Sequence, residues 1–94
     1  MKCSEIKVIK KDGTREDFNV QKVVVAVNKS VERAMMQFSQ AEINFICQYV
    51  EAKAEALGNA EIPIAPMHTL VAGALERVNP LVANAYRAYR TAKQ

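Results

Sequence analysis

In the run Val8 to Lys22, VIKKDGTREDFNVQK, a lysine stands three places after an asparagine of the kind that caps a helix. Asn19 as the cap makes Val20, Gln21 and Lys22 the first helical turn, where Glu or Gln is preferred at the third place because it reaches back to the cap. Lys22 instead sets positive charge against the positive end of the helix dipole, which costs ~0.3–1 kcal/mol unless an anion offsets it. Open amide N–H groups, the dipole and an ammonium at one helix start make up the chemistry of a phosphate site. Lys10 and Lys11 add positive charge just upstream. Glu16 is placed either to pair with Lys10 or to accept a hydrogen bond from a ligand hydroxyl.

Bond-making chemistry finds little support. The chain has one histidine, His68, no nucleophile beside a base, and no acids and histidines at metal-ligand spacing. Glu16 and Asp17 are adjacent, but neighbours on a strand point to opposite faces and cannot work as a pair. No catalytic residue and no metal ligand is expected. Cys3 and Cys47 are isolated, which indicates neither a zinc ribbon nor a disulfide framework and fits a reduced, cytoplasmic protein.

The elements that must hold these residues follow from periodicity. Ninety-four residues, 50% hydrophobic and 24% charged, suit one globular domain over residues 1–94. A formal charge of +3 is mild for a general nucleic-acid binder, so a small polyanion is the expected partner and nucleic acid is not. No apolar run approaches the ~18 residues of a membrane span.

Asp12-Gly13 marks a hairpin. A three-residue loop, Lys11 to Gly13 with Gly13 left-handed, sets Lys10 opposite Thr14, Val8 opposite Glu16 and Ile6 opposite Phe18. This register gathers Ile6, Val8 and Phe18 into one apolar patch with Lys10 and Glu16 at its edge, whereas a two-residue loop would send Phe18 to the other side.

A first helix is expected from about Val20 to Met36, buried through Val20, Val23, Val24, Val27, Val31 and Ala34. Ser39 and Glu42 form a capping box for a second helix, which Gly58 ends after Leu57. Glu61 to Ile64 reads as a third strand, Pro66 as part of the first turn of a third helix, and Asn79-Pro80 as the start of a fourth that carries Val82, Tyr86 and Tyr89. The expected fold is α+β, ββααβαα, a four-helix bundle capped by a small three-stranded β-sheet. His68, early in the third helix, tilts toward the hairpin in this arrangement. Tyr86, Tyr89 and Arg90 read as core plus a snorkelling arginine.

VIKKDGTREDFNVQK, followed by EIPIAPMHTLV and NPLVANAYRAYR, resembles the ATP-cone domain from Ile6 to Lys93. That family consists of regulatory modules found chiefly at the N-terminus of ribonucleotide reductase catalytic subunits and in a bacterial repressor of reductase genes. The resemblance implies ATP or dATP as an allosteric ligand, with Mg2+, no hydrolysis, and a response read out through the rest of a reductase or through self-assembly. It places Val8, Lys10, Lys11, Glu16, Asn19, Lys22, Ile64, His68 and Lys93 on nucleotide-contacting positions. Lys10, Lys22 and Lys93 would meet phosphates, and Glu16 and His68 would lie toward sugar and base.

Ile64 stands where some members have threonine, which makes that contact apolar, and Pro66 replaces an acid. The repressor branch carries a cysteine zinc ribbon before the cone. The ribbon's cysteines are not in this sequence, which begins close to the motif and ends just after the last one, so the expectation is the excised N-terminal cone of a reductase. The alternatives are a degenerate cone that serves as a protein interaction module, and the cone of a nucleotide-responsive repressor.

Overall fold

The computed structural model describes residues 2–92. A 3-10 turn at Cys3–Glu5 is followed by strands β1 (Lys7–Ile9) and β2 (Arg15–Asp17), helices α1 (Val20–Arg33) and α2 (Gln40–Leu57), strand β3 (Glu61–Pro63), and helices α3 (Ile64–Val78) and α4 (Pro80–Ala92). The architecture is the expected α+β one.

The hairpin takes the three-residue register. Val8 pairs with Glu16, and the Lys10 N–H donates to the Thr14 carbonyl at 2.8 Å. Gly13 sits at φ +87°, where a side chain would be strained, and Asp12 locks the turn by accepting from the Thr14 N–H and hydroxyl at 3.0 and 2.6 Å. β3 joins the other side of β1 in parallel, giving the order β2-β1-β3 with Val8 beside Ile62. The expected third strand runs to Ile64; the observed one stops at Pro63, and Ile64 is already helical. Pro66 is the third residue of α3, in the turn whose N–H groups have no intrahelical partner, so its missing donor costs nothing.

The helix starts carry the anticipated caps. The Asn19 side chain accepts from the Gln21 N–H at 2.9 Å, Ser39 and Glu42 form the reciprocal box, and Asn79 accepts from the Leu81 N–H at 3.0 Å. α1 ends earlier than its pattern implies, at Arg33 rather than Met36. The N–H groups of Met35 and Met36 turn back to the carbonyls of Glu32 and Val31, both at 3.0 Å, and Met35 takes a left-handed φ of +56°. This is a Schellman stop built on a methionine instead of the usual glycine.

One cluster of buried side chains joins sheet and helices. Ile6, Val8 and Ile62 come from the sheet side, Val27 and Val31 from α1, Ile46 and Val50 from α2, Leu75 from α3, and Val82 and Tyr86 from α4. α3 is central, packing on α2 and α4 as well as on β1 and β3, while α4 also lies against α1. Small residues allow close approach: Ala26, Ala72, Ala74 and Ala83 are all buried. The buried stripe of α1 is wider than expected. Ala26 and Ser30 are inside, with the Ser30 hydroxyl donating to the Ala26 carbonyl at 2.9 Å, whereas Val20, Val24 and Ala34 are only partly covered. No described helix is long and apolar enough to cross a membrane.

Candidate functional site

Between the hairpin, the start of α1 and the inner faces of α3 and α4 lies a cavity of about 370 Å³. Val8, Lys10, Lys11, Glu16, Asn19, Lys22, Ile64 and His68 all line it. Lys93 lies outside the described residues. The chosen hairpin register is what brings the first four to one place, because Val8 and Glu16 are direct cross-strand neighbours.

The rim is charged. Glu16, half-buried, receives the Lys22 ammonium at 2.8 Å and faces that of Lys10 at 3.4 Å. The Lys22 hydrogen bond, helped by the charge of Lys10, holds the Glu16 carboxyl below the usual carboxylate range. Lys22 therefore already has its anion, supplied by the protein six residues upstream, and the electrostatic need read from the sequence is met internally. Two amides of the α1 start are also engaged. The Gln21 N–H donates to the Asn19 side chain and the Lys22 N–H to the Asn19 carbonyl at 3.0 Å. Asp17, on the cavity edge, is paired with Lys7.

Around His68 the lining is positive with no matching carboxylate. Lys11 and Arg90 supply the charge and make no ion pair among the described residues. His68 lies with them, edge-on to the Tyr86 ring at 6.2 Å. Burial, reinforced by the charges of Arg90 and Lys11, pushes its imidazole down to about 4. His68 is therefore neutral near pH 7 and offers one N–H donor and one acceptor. Burial also pushes the Tyr86 hydroxyl up, against the opposing effect of Arg90.

The floor is apolar. Phe18, Val23, Ala26, Met67, Val71 and Tyr86 line it, with Ile64 at the α3 start. Sequence reasoning placed Phe18, Val23 and Tyr86 on apolar faces turned inward, since a cavity floor has the same spacing as a packed interior. Tyr86 and Arg90 carried the one available signal, an aromatic and a cation one turn apart on α4. Among the described residues no three His, Cys, Asp or Glu side chains come together to hold a metal ion.

A cavity of this size, lined by apolar side chains, by Glu16 and Asn19 and by the cations Lys11 and Arg90, suits a ligand that is part aromatic and part anionic. Comparison with known proteins points the same way. The family model described as the ATP cone domain matches residues 6–94. The transcriptional repressor NrdR of Limosilactobacillus fermentum (strain NBRC 3956 / LMG 18251) is 32% identical over 87 residues, which cover 88% of this chain and 56% of the relative. The protein of the same description from Exiguobacterium sp. (strain ATCC BAA-1283 / AT1b) is 31% identical over 87 residues, 88% of this chain and 55% of its own length. The chain thus spans about half the length of the curated relatives it matches. Both relatives are transcriptional repressors. The expectation of a reductase domain gains no support from them, and the expectation that nucleic acid is an unlikely partner is not borne out.

Proposed function

Because this chain belongs to the ATP-cone family, we propose that it is a regulatory domain that reversibly binds ATP or dATP in the cavity between the hairpin and the helices, without hydrolysing it. The observation that carries this reading is the mixed lining of the cavity, an apolar floor together with Asn19 and the lysine-paired Glu16 and with Lys11 and Arg90, cations that make no ion pair among the described residues. The nucleoside goes to the Glu16 and Asn19 end, where a carboxylate can accept from an amino or hydroxyl group. The phosphates go toward Lys11, because Lys10 and Lys22 are already paired with Glu16 and two of the α1-start amides are engaged. Magnesium would come with the nucleotide and screen its phosphate charge, since lysines hold both carboxylates that line the cavity.

Regulation follows from differential binding. The nucleotide shifts the protein between two arrangements only by as much as its affinity differs between them. Calorimetric titration with ATP, dATP and magnesium tests the core claim. Saturable micromolar binding is expected, and no binding by folded protein refutes it.

For what this domain regulates, the two repressor relatives favour nucleotide-controlled transcription over the reductase reading. DNA binding by the full-length protein that falls steeply with salt and changes with ATP or dATP supports that choice. Nucleotide-dependent reductase activity without DNA binding reverses it.

A further inference from the structure

Arg90 is the one described residue with a buried side-chain polar atom that has no hydrogen-bond partner, its Nε. Its guanidinium lies over two rings, 5.3 Å from the centre of Tyr86 and 5.4 Å from that of Tyr89. The Arg90 side chain is hydrogen-bonded to the Tyr86 hydroxyl and two aromatic faces fix the plane of the fork, but Nε–H is left without an acceptor. A charged donor left unsatisfied in a buried place is costly, and protein interiors rarely tolerate one without a functional reason. Arg90 also lines the cavity, on the side where Lys11 has no carboxylate to neutralise it.

We propose that Arg90 is a ligand-contacting residue whose Nε–H donates to a phosphate oxygen of the bound nucleotide, with Lys11 on the same anion from the hairpin. The inference rests on the nucleotide reading above and adds to it a residue that the sequence assigned to snorkelling. Arginine suits the task because its planar fork presents donors in fixed directions, and the stacked rings hold that fork ready before the ligand arrives. His68 lies beside the same anion. Facing it are Arg90 and the Tyr86 ring from α4 and Lys11 from the hairpin, so a phosphate there replaces two repelling cations with a neutralised cluster.

The wild-type chain is titrated with ATP and with inorganic triphosphate while the Arg90 side-chain Nε–H and the His68 ring are followed by NMR. His68 is the only histidine, so its signal is unambiguous. The Nε–H resonance is expected to move downfield, its exchange with water to slow, and the imidazole to titrate at higher pH with either ligand. Arg90→Gln is expected to weaken ATP binding roughly ten- to a hundredfold, with Arg90→Lys recovering only part. A wild-type Nε–H unmoved at saturating ATP overturns the proposal even if the variants fail to fold. So does unchanged ATP affinity in a folded Arg90→Gln protein. Both results leave the nucleotide reading intact, whereas a wild-type protein that binds no ATP overturns both.

Discussion

Acid should destabilise this domain through His68 at higher pH than through the carboxylates of Glu16 and Asp17, which their lysines hold low. The imidazole titrates at about 4 in the folded protein against 6.5 for the unperturbed group, chiefly because it is buried and secondarily because Arg90 and Lys11 repel its proton. Between those values the unfolded chain binds a proton that the folded chain refuses, so stability is full above pH 6.5 and is lost progressively down to about pH 4. Each unit of that interval is worth about 1.4 kcal/mol. The ring is only half-buried, so solvent screening reduces the whole to about 1–2 kcal/mol.

Urea unfolding of the wild type and of His68→Gln at pH 7.0, 5.5 and 4.5, pH values chosen to span roughly that window, measures the effect. The wild type should lose about 1–2 kcal/mol more than the variant across the series. Glu16 and Asp17, held low by their lysines, lose their contribution at lower pH in both proteins and cancel. Parallel pH profiles, or an imidazole that titrates near 6.5 by NMR, would refute the reasoning.

Other outcomes follow from the same geometry. Glu16→Gln should weaken ATP while leaving inorganic triphosphate unchanged or tighter, because it turns one acceptor oxygen at the nucleoside end into a donor and frees Lys10 and Lys22 of their carboxylate; equal losses for both ligands refute the orientation. Lys11→Ala should cost ~1–3 kcal/mol of ATP affinity in a calorimetric titration. Its melting temperature should stay unchanged, since Lys11 is exposed and makes no ion pair among the described residues. Lys22→Ala should change stability by less than ~0.5 kcal/mol in urea unfolding, because a largely exposed ion pair is worth little and the helix dipole opposes the lysine. Met35→Gly should raise stability by ~0.5–1 kcal/mol, because the left-handed φ of +56° strains any side chain, and a lowered melting temperature would contradict this.

The hairpin was legible because only one loop length puts Ile6, Val8 and Phe18 on a common face, and that choice also brought Lys10 and Glu16 to the cavity. Caps were legible because Asn19, Ser39 and Asn79 carry side chains that satisfy helix-start amides. The end of α1 was not, since nothing in the type of Met35 signals a residue that leaves the helical region. Lys22 looked electrostatically unsatisfied because a one-dimensional reading cannot see Glu16 folding back over the helix start. Val23, Met67 and Val71 were hidden differently. Their spacing marks a face turned inward, and it does not distinguish a face that meets other side chains from one that meets an opening.

β3 runs into α3 with no residue between them, Pro63 closing the strand and Ile64 opening the helix. Because β3 is hydrogen-bonded to the hairpin through β1, the sheet is geared directly to the central helix. A loop at that joint would absorb small movements of the sheet as slack. Here a tilt of the sheet becomes a tilt of α3, a lever of 15 residues, or about 22 Å. A rotation of roughly 5° at its start displaces the far end by about 2 Å over that length. The far end carries the Asn79-Pro80 corner, where α4 begins and turns back toward Arg90 and the cavity. The chain thus leads from the hairpin through β3, α3 and α4 back to the cavity, a closed circuit along which such a movement would travel.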